Sequence, residues 1–102
     1  MSRRGARLYH TRGNRDRNER PIIQRLEAQG FCVKQLQGRG VPDLLVAKGS
    51  VMWLVEIKQP KGEPTPAQIK WRFDWTGPAP ITLRSVEDAD RFMFLASEKG
   101  QP

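Results

Sequence analysis

Gly40-Val41-Pro42-Asp43-Leu44-Leu45-Val46-Ala47-Lys48-Gly49-Ser50-Val51-Met52-Trp53-Leu54-Val55-Glu56-Ile57-Lys58 reads as two strands folded back on one tight turn. Pro42 to Lys48 is the first strand, Lys48-Gly49-Ser50 the turn, and residues 51–59 the second strand, a hairpin. Val51 to Val55 is apolar on both faces, the pattern of an interior strand. Alternation along a strand then places Glu56 and Lys58 side by side, with Val55 and Ile57 pointing the other way. The short turn brings Asp43 into cross-strand range of Glu56. Two carboxylates and an amine at the end of an apolar strand are costly to desolvate unless something compensates, and a divalent ion with phosphate oxygens does so. The chemistry this pattern points to is phosphodiester hydrolysis.

Outward from the hairpin, the chain divides into regular pieces. A helix is expected from about Asn18 to Gln29, with Ile22, Ile23 and Leu26 as its apolar stripe, Pro21 in its first turn and Gly30 as its stop. Phe31 to Leu36 reads as a strand and Gln37-Gly38-Arg39-Gly40 as a mobile connection. After Pro60-Lys61-Gly62-Glu63-Pro64, Thr65 caps a helix with Pro66 at its first position and Gln68 closing a capping box, running to about Trp75. Ile81-Thr82-Leu83 is a short fourth strand, and Ser85 opens a last helix ending near Gly100. The fold class is α/β with element order αβββαβα, and the strand, helix, strand crossover makes the sheet mixed. Trp71, Phe73 and Trp75 are expected to pack onto the sheet in preference to stacking on bases, and Cys32 to be a buried, inert thiol.

With 102 residues the chain is one domain. No apolar stretch approaches the roughly 18 residues of a membrane span, and no apolar segment follows the Arg-rich start, so no membrane association and a cytoplasmic, nucleoid-associated or phage-type protein are expected. One cysteine excludes an internal disulfide and a cysteine zinc site. The single histidine, His10, is too few for two-histidine chemistry, and no GxxxxGK[ST] loop is present for ATP hydrolysis. The net charge of +7 is uneven: residues 1–20 carry Arg3, Arg4, Arg7, Arg12, Arg15, Arg17 and Arg20 against Asp16 and Glu19, a net of +5. Residues 1–17 are therefore read as a basic arm that contacts phosphates, or as a solubilising tail, and residues 18–102 as the folded body. Arg39, in the connection before Asp43, is a further phosphate-contact candidate.

Gly40-x-Pro42-Asp43, Glu56-x-Lys58, Gln68 and Leu83-Arg84-Ser85-Val86-Glu87-Asp88-Ala89 together make the chain, over about residues 18–97, resemble the stand-alone VRR-NUC domain of the PD-(D/E)xK nuclease superfamily. The resemblance implies a restriction-endonuclease-like core and a Mg²⁺- or Mn²⁺-dependent endodeoxyribonuclease. It implies Asp43, Glu56 and the Ile57 backbone carbonyl as metal ligands, Lys58 as the catalytic lysine and Gln68 as an active-site residue of the second helix. Relatives of the minimal type resemble Holliday junction resolvases, which implies a homodimer acting on branched or four-way DNA. Gln68 has the competing task of completing the capping box. A glutamate on the first helix is also implied, with Glu19 and Glu27 as candidates. At about 100° per residue Glu19 falls within roughly 15° of the centre of the apolar stripe and Glu27 roughly 90° from it, which favours Glu19. The alternative readings are a DNA-binding module without catalysis, and a nuclease subunit active only beside a helicase or recombinase.

Overall fold

The computed structural model describes residues 18–100. The elements run α1 (Glu19–Ala28), β1 (Cys32–Gln35), β2 (Leu44–Lys48), β3 (Val51–Ile57), α2 (Pro66–Asp74), β4 (Ile81–Leu83) and α3 (Val86–Gly100), which is the αβββαβα order. The proposed basic arm, residues 1–17 with all six of its arginines, lies outside the described residues.

One sheet carries the strands in the order β1-β2-β3-β4. β1 with β2 and β2 with β3 are antiparallel, and β3 with β4 is parallel, as a crossover through α2 requires. Lys48 pairs with Val51 across Gly49-Ser50, and Gly49 takes the positive φ of 62° that primed hairpin turns demand of their first central residue. α1 ends as its sequence dictates. Gly30 adopts a φ of 89°, its N–H donates to Glu27 O at 3.0 Å, and the N–H of Phe31 donates to Leu26 O at 3.1 Å, a Schellman motif. Leu26 and Phe31, the residues that such a motif brings together, are both in the core.

Register sorts the strand residues into two faces. Val33, Leu44, Val46, Trp53, Val55, Ile57, Ile81 and Leu83 share one face, and α1 and α3 cover it with Ile22, Leu26, Ala89, Phe92, Met93 and Ala96. Phe31, Trp53 and Phe92 meet there with ring centroids 5.2 to 5.9 Å apart. The other face carries Cys32, Lys34, Leu45, Ala47, Met52, Leu54, Glu56 and Thr82. β3 is thus interior by pairing but covered on one side only, and Met52, expected to be buried, is 65% exposed. Cys32 is exposed rather than buried, because β1 is an edge strand and Cys32 points to this open face.

The expected packing of Trp71, Phe73 and Trp75 onto the sheet is also corrected. No residue of α2 is buried, and Phe73 is 88% exposed. A spacing of two residues is a strand period; on a helix it turns each successive ring by about 200°. Trp71 and Trp75, four apart, share a side and stack at 5.1 Å, and the Trp75 indole N–H donates to Pro78 O at 2.7 Å. The pair closes the end of α2 over Gly77, where a Cβ would press on the Trp75 ring. Among the described residues no helix is long and apolar enough to cross a membrane.

Candidate active site

The site forms where β2 and β3 part. Leu44 and Val55 are the last pair of the hairpin ladder, so Asp43 and Glu56 stand one step beyond it, opposite each other. Asp43 is held at both ends: its carbonyl accepts from Leu36 N at 2.8 Å, and its carboxylate Oδ2 accepts from the Ile57 N–H at 2.7 Å. Glu56 is 1% exposed. Its Oε2 accepts from Gln68 Nε2 at 2.5 Å, while its Oε1 is buried with no hydrogen-bond partner.

Gln68 completes the capping box and also touches both Glu56 and Lys58. Its Oε1 accepts from Thr65 N at 2.9 Å and its backbone N–H donates to Thr65 Oγ1 at 3.2 Å, completing the capping box. The same Oε1 accepts from Lys58 Nζ at 2.7 Å, and the amide nitrogen reaches Glu56. The start of α2 is brought to this point by Gly40. It has a φ of 76°, and a Cβ there would overlap the Ala67 carbonyl. Glycine therefore lets the loop before Asp43 and the first turn of α2 touch backbone to backbone.

The electrostatics follow from burial. Desolvation, followed by the charge of Asp43 and a hydrogen bond with its side chain, pushes the Glu56 carboxyl up to about 8, against the smaller opposing pull of Lys58 and Arg72. Two carboxyl groups so close cannot both ionise easily unless a cation joins them. The buried, unpartnered Oε1 of Glu56 beside the Asp43 carboxylate is an oxygen donor set that fits a hard divalent ion. Among the described residues no three His, Cys, Asp or Glu side chains converge to hold a metal. The remaining ligands would be backbone oxygen, water and phosphate, which suits an ion that keeps much of its hydration.

Glu19 is placed differently. It is 5% exposed, whereas Glu27 is exposed, so the helical phase is as read from the apolar stripe. Its Oε1 accepts from Gln35 Nε2 at 3.2 Å. Gln35 shares the covered face with Leu44 and Val55, so this contact lies across the sheet from Glu56. Its neighbour Asn18 ties α1 to the strand ends, donating from Nδ2 to Lys58 O at 3.0 Å and to Arg84 O at 2.5 Å. Arg39 is exposed on the loop before Asp43. Sequence reasoning missed Arg72, one turn after Gln68, whose charge acts on Glu56. The spacing Gln68-x-x-x-Arg72 was its only signal.

The arrangement has a counterpart among solved structures. A chain described as a VRR_NUC domain superposes with a TM-score of 0.63 and is 33% identical, the match covering 76% of this chain and 91% of that one. The chain matches no protein-family model and no curated protein.

Proposed function

Because the chain belongs to the VRR_NUC domain family, we propose that it is a metal-dependent endodeoxyribonuclease hydrolysing phosphodiester bonds at Asp43, Glu56 and Lys58, with branched or four-way DNA as its substrate. The observation that carries the proposal is the burial of Glu56 against Asp43 with one oxygen unpartnered, an arrangement a folded chain has no structural use for. Asp43, Glu56 and the Ile57 carbonyl are the residues that would hold Mg²⁺ or Mn²⁺. When bound, such an ion supplies a Lewis acid that makes water a stronger nucleophile and offsets charge on phosphate oxygens.

The chain's own groups do the rest. Lys58 presents an ammonium on the same side as Glu56, where it orients the attacking water and stabilises charge on the phosphate. Gln68 fixes both: it donates to one and accepts from the other, so neither side chain can swing without losing a hydrogen bond. Water adds to phosphorus, and the departing sugar oxygen leaves with a proton. Glu19 is a positioning residue in this scheme, next to the Asn18 amide that holds the Lys58 carbonyl. The arginines of the arm and Arg39 add sequence-independent phosphate affinity, read as a flatter salt dependence of DNA binding when residues 1–15 are removed.

A two-fold dimer would match the two symmetric cuts a junction requires. Phe94 and Leu95 are 64% and 51% exposed on α3, and Leu95 lines a groove of about 510 Å³ bordered by edge strand β4. They form the surface on which a second copy would pair, and sedimentation at the mass of one chain would reject it. The function itself is tested by incubating the purified chain with linear, nicked, flapped and four-way DNA in Mg²⁺, Mn²⁺ or chelator. Cleavage in chelator, or of no substrate in either metal, would overturn the proposal.

A further inference from the structure

α2 contributes nothing to the core, since none of its residues is buried, yet it is capped, stopped and held against the loop before Asp43. Its sequence is used at the site instead. Gln68 faces Glu56 and Lys58, and four residues on, about 40° round the helix, Arg72 emerges on the same side. Arg72 is half-buried, and its Nε is shielded from water with no hydrogen-bond partner. Among the described residues its guanidinium forms no ion pair, although its charge acts on Glu56. A lysine in that place could bend its ammonium out to water, whereas the planar guanidinium of a half-buried arginine keeps its charge beside the site.

The shielded Nε is closed to any ligand, but the outer N–H groups of a half-buried guanidinium that forms no ion pair are open to an acceptor from outside the chain. The acceptor must be anionic and must offer more than one oxygen to match the fork. It must also reach the rim of a site whose own acids are turned to each other. We propose that Arg72 is a phosphate-binding residue, its guanidinium receiving the oxygens of one backbone phosphate of the DNA strand that enters the Asp43, Glu56 and Lys58 site. This rests on the nuclease reading for the strand's identity, but the contact requires only a phosphodiester. One phosphate clamped a helical turn from Gln68 fixes the register of the strand, so the neighbouring phosphodiester is the one presented to Lys58.

The test substitutes neutral methylphosphonates, one position at a time, along a fluorescent DNA strand and measures binding by anisotropy in chelator for the full chain and for Arg72→Ala and Arg72→Lys. The wild type should lose affinity at one position where Arg72→Ala loses none. In Mn²⁺, single-turnover cleavage by Arg72→Ala should fall about 100-fold, with millimolar guanidinium restoring part of it and Arg72→Lys recovering only a fraction. A merely structural role would lower thermal stability and leave the methylphosphonate profile of Arg72→Ala identical to that of the wild type, and that profile overturns the proposal. If the wild type cuts no DNA but the profiles still differ at one position, the phosphate contact stands and the nuclease reading falls. Identical profiles with normal cleavage by the wild type do the reverse.

Discussion

The two faces of the sheet are built from similar strands and put to opposite uses. Under α1 and α3, Leu44, Val46 and Val55 are fully sealed, and the aromatic trio of Phe31, Trp53 and Phe92 fills the remaining space. On the other face Met52 is largely exposed, Leu45, Ala47 and Leu54 are half-buried, and of the strand residues there only Glu56 is buried. Apolar burial, the dominant favourable contribution to folding, is thus concentrated on one side. What is buried on the other side is a carboxyl that folding alone would avoid. The difference teaches that stability and chemistry are carried by opposite surfaces of the same strands, and each can be altered with little damage to the other.

The sharpest way to break that separation is at the open face. Asp43→Asn and Glu56→Gln should each lower cleavage on the order of 10³-fold while leaving thermal melts in chelator unchanged or slightly raised. Lys58→Ala should lose cleavage and keep calorimetric Mn²⁺ binding. Unfolding of any of the three would show that these charged groups serve the fold.

The second contrast is between leucines. Leu26→Ala, in the sealed core, should cost about 2–5 kcal/mol in denaturant melts, whereas Leu54→Ala on the open face should cost about 1 kcal/mol or less. Equal costs would mean that another body covers the open face in solution. The third concerns pH in metal-free protein. Glu56 titrates near 8 when folded against an ordinary 4.5, so between those values the folded chain holds a proton that the unfolded chain has lost. Its stabilising contribution is complete below about 4.5 and is lost as the pH rises through 8. Denaturant melts at several pH values between the two should show this decline in the wild type and not in Glu56→Gln. The smallest effect is expected on α1: Glu19→Gln should slow cleavage about 10-fold, and Glu27→Gln should leave it unchanged, at saturating Mg²⁺.

Local signals were legible in the sequence because they act over a few residues. The Gly49-Ser50 hairpin, the Gly30 stop and the Thr65, Pro66, Gln68 cap each depend on backbone angles and near neighbours, and each stands where the residues place it. The phase of Glu19 against Glu27 was legible for the same reason. The aromatics of α2 were misread because a residue count was taken for a face, and Cys32 because edge position is a property of the sheet and not of the strand. The pairing of Asp43 with Glu56 could be read from the hairpin. The second engagement of Gln68 and the direction of Arg72 could not, since both depend on where a loop far from α2 in sequence meets its first turn.

That meeting has a kinetic consequence. α2 is kept in place by the hydrogen bonds of Gln68 and the contact at Gly40, with no buried side chain to resist detachment. Its amides should therefore exchange with solvent through local opening long before those of β2 and β3 do so through global unfolding. Each opening takes Gln68 away from Glu56 and Lys58 together, so the site is intermittently dismantled in a chain that is otherwise fully folded. A strand that occupies it would lengthen the closed intervals, and slower deuterium uptake confined to residues 66–74 would report occupancy before any bond is cut.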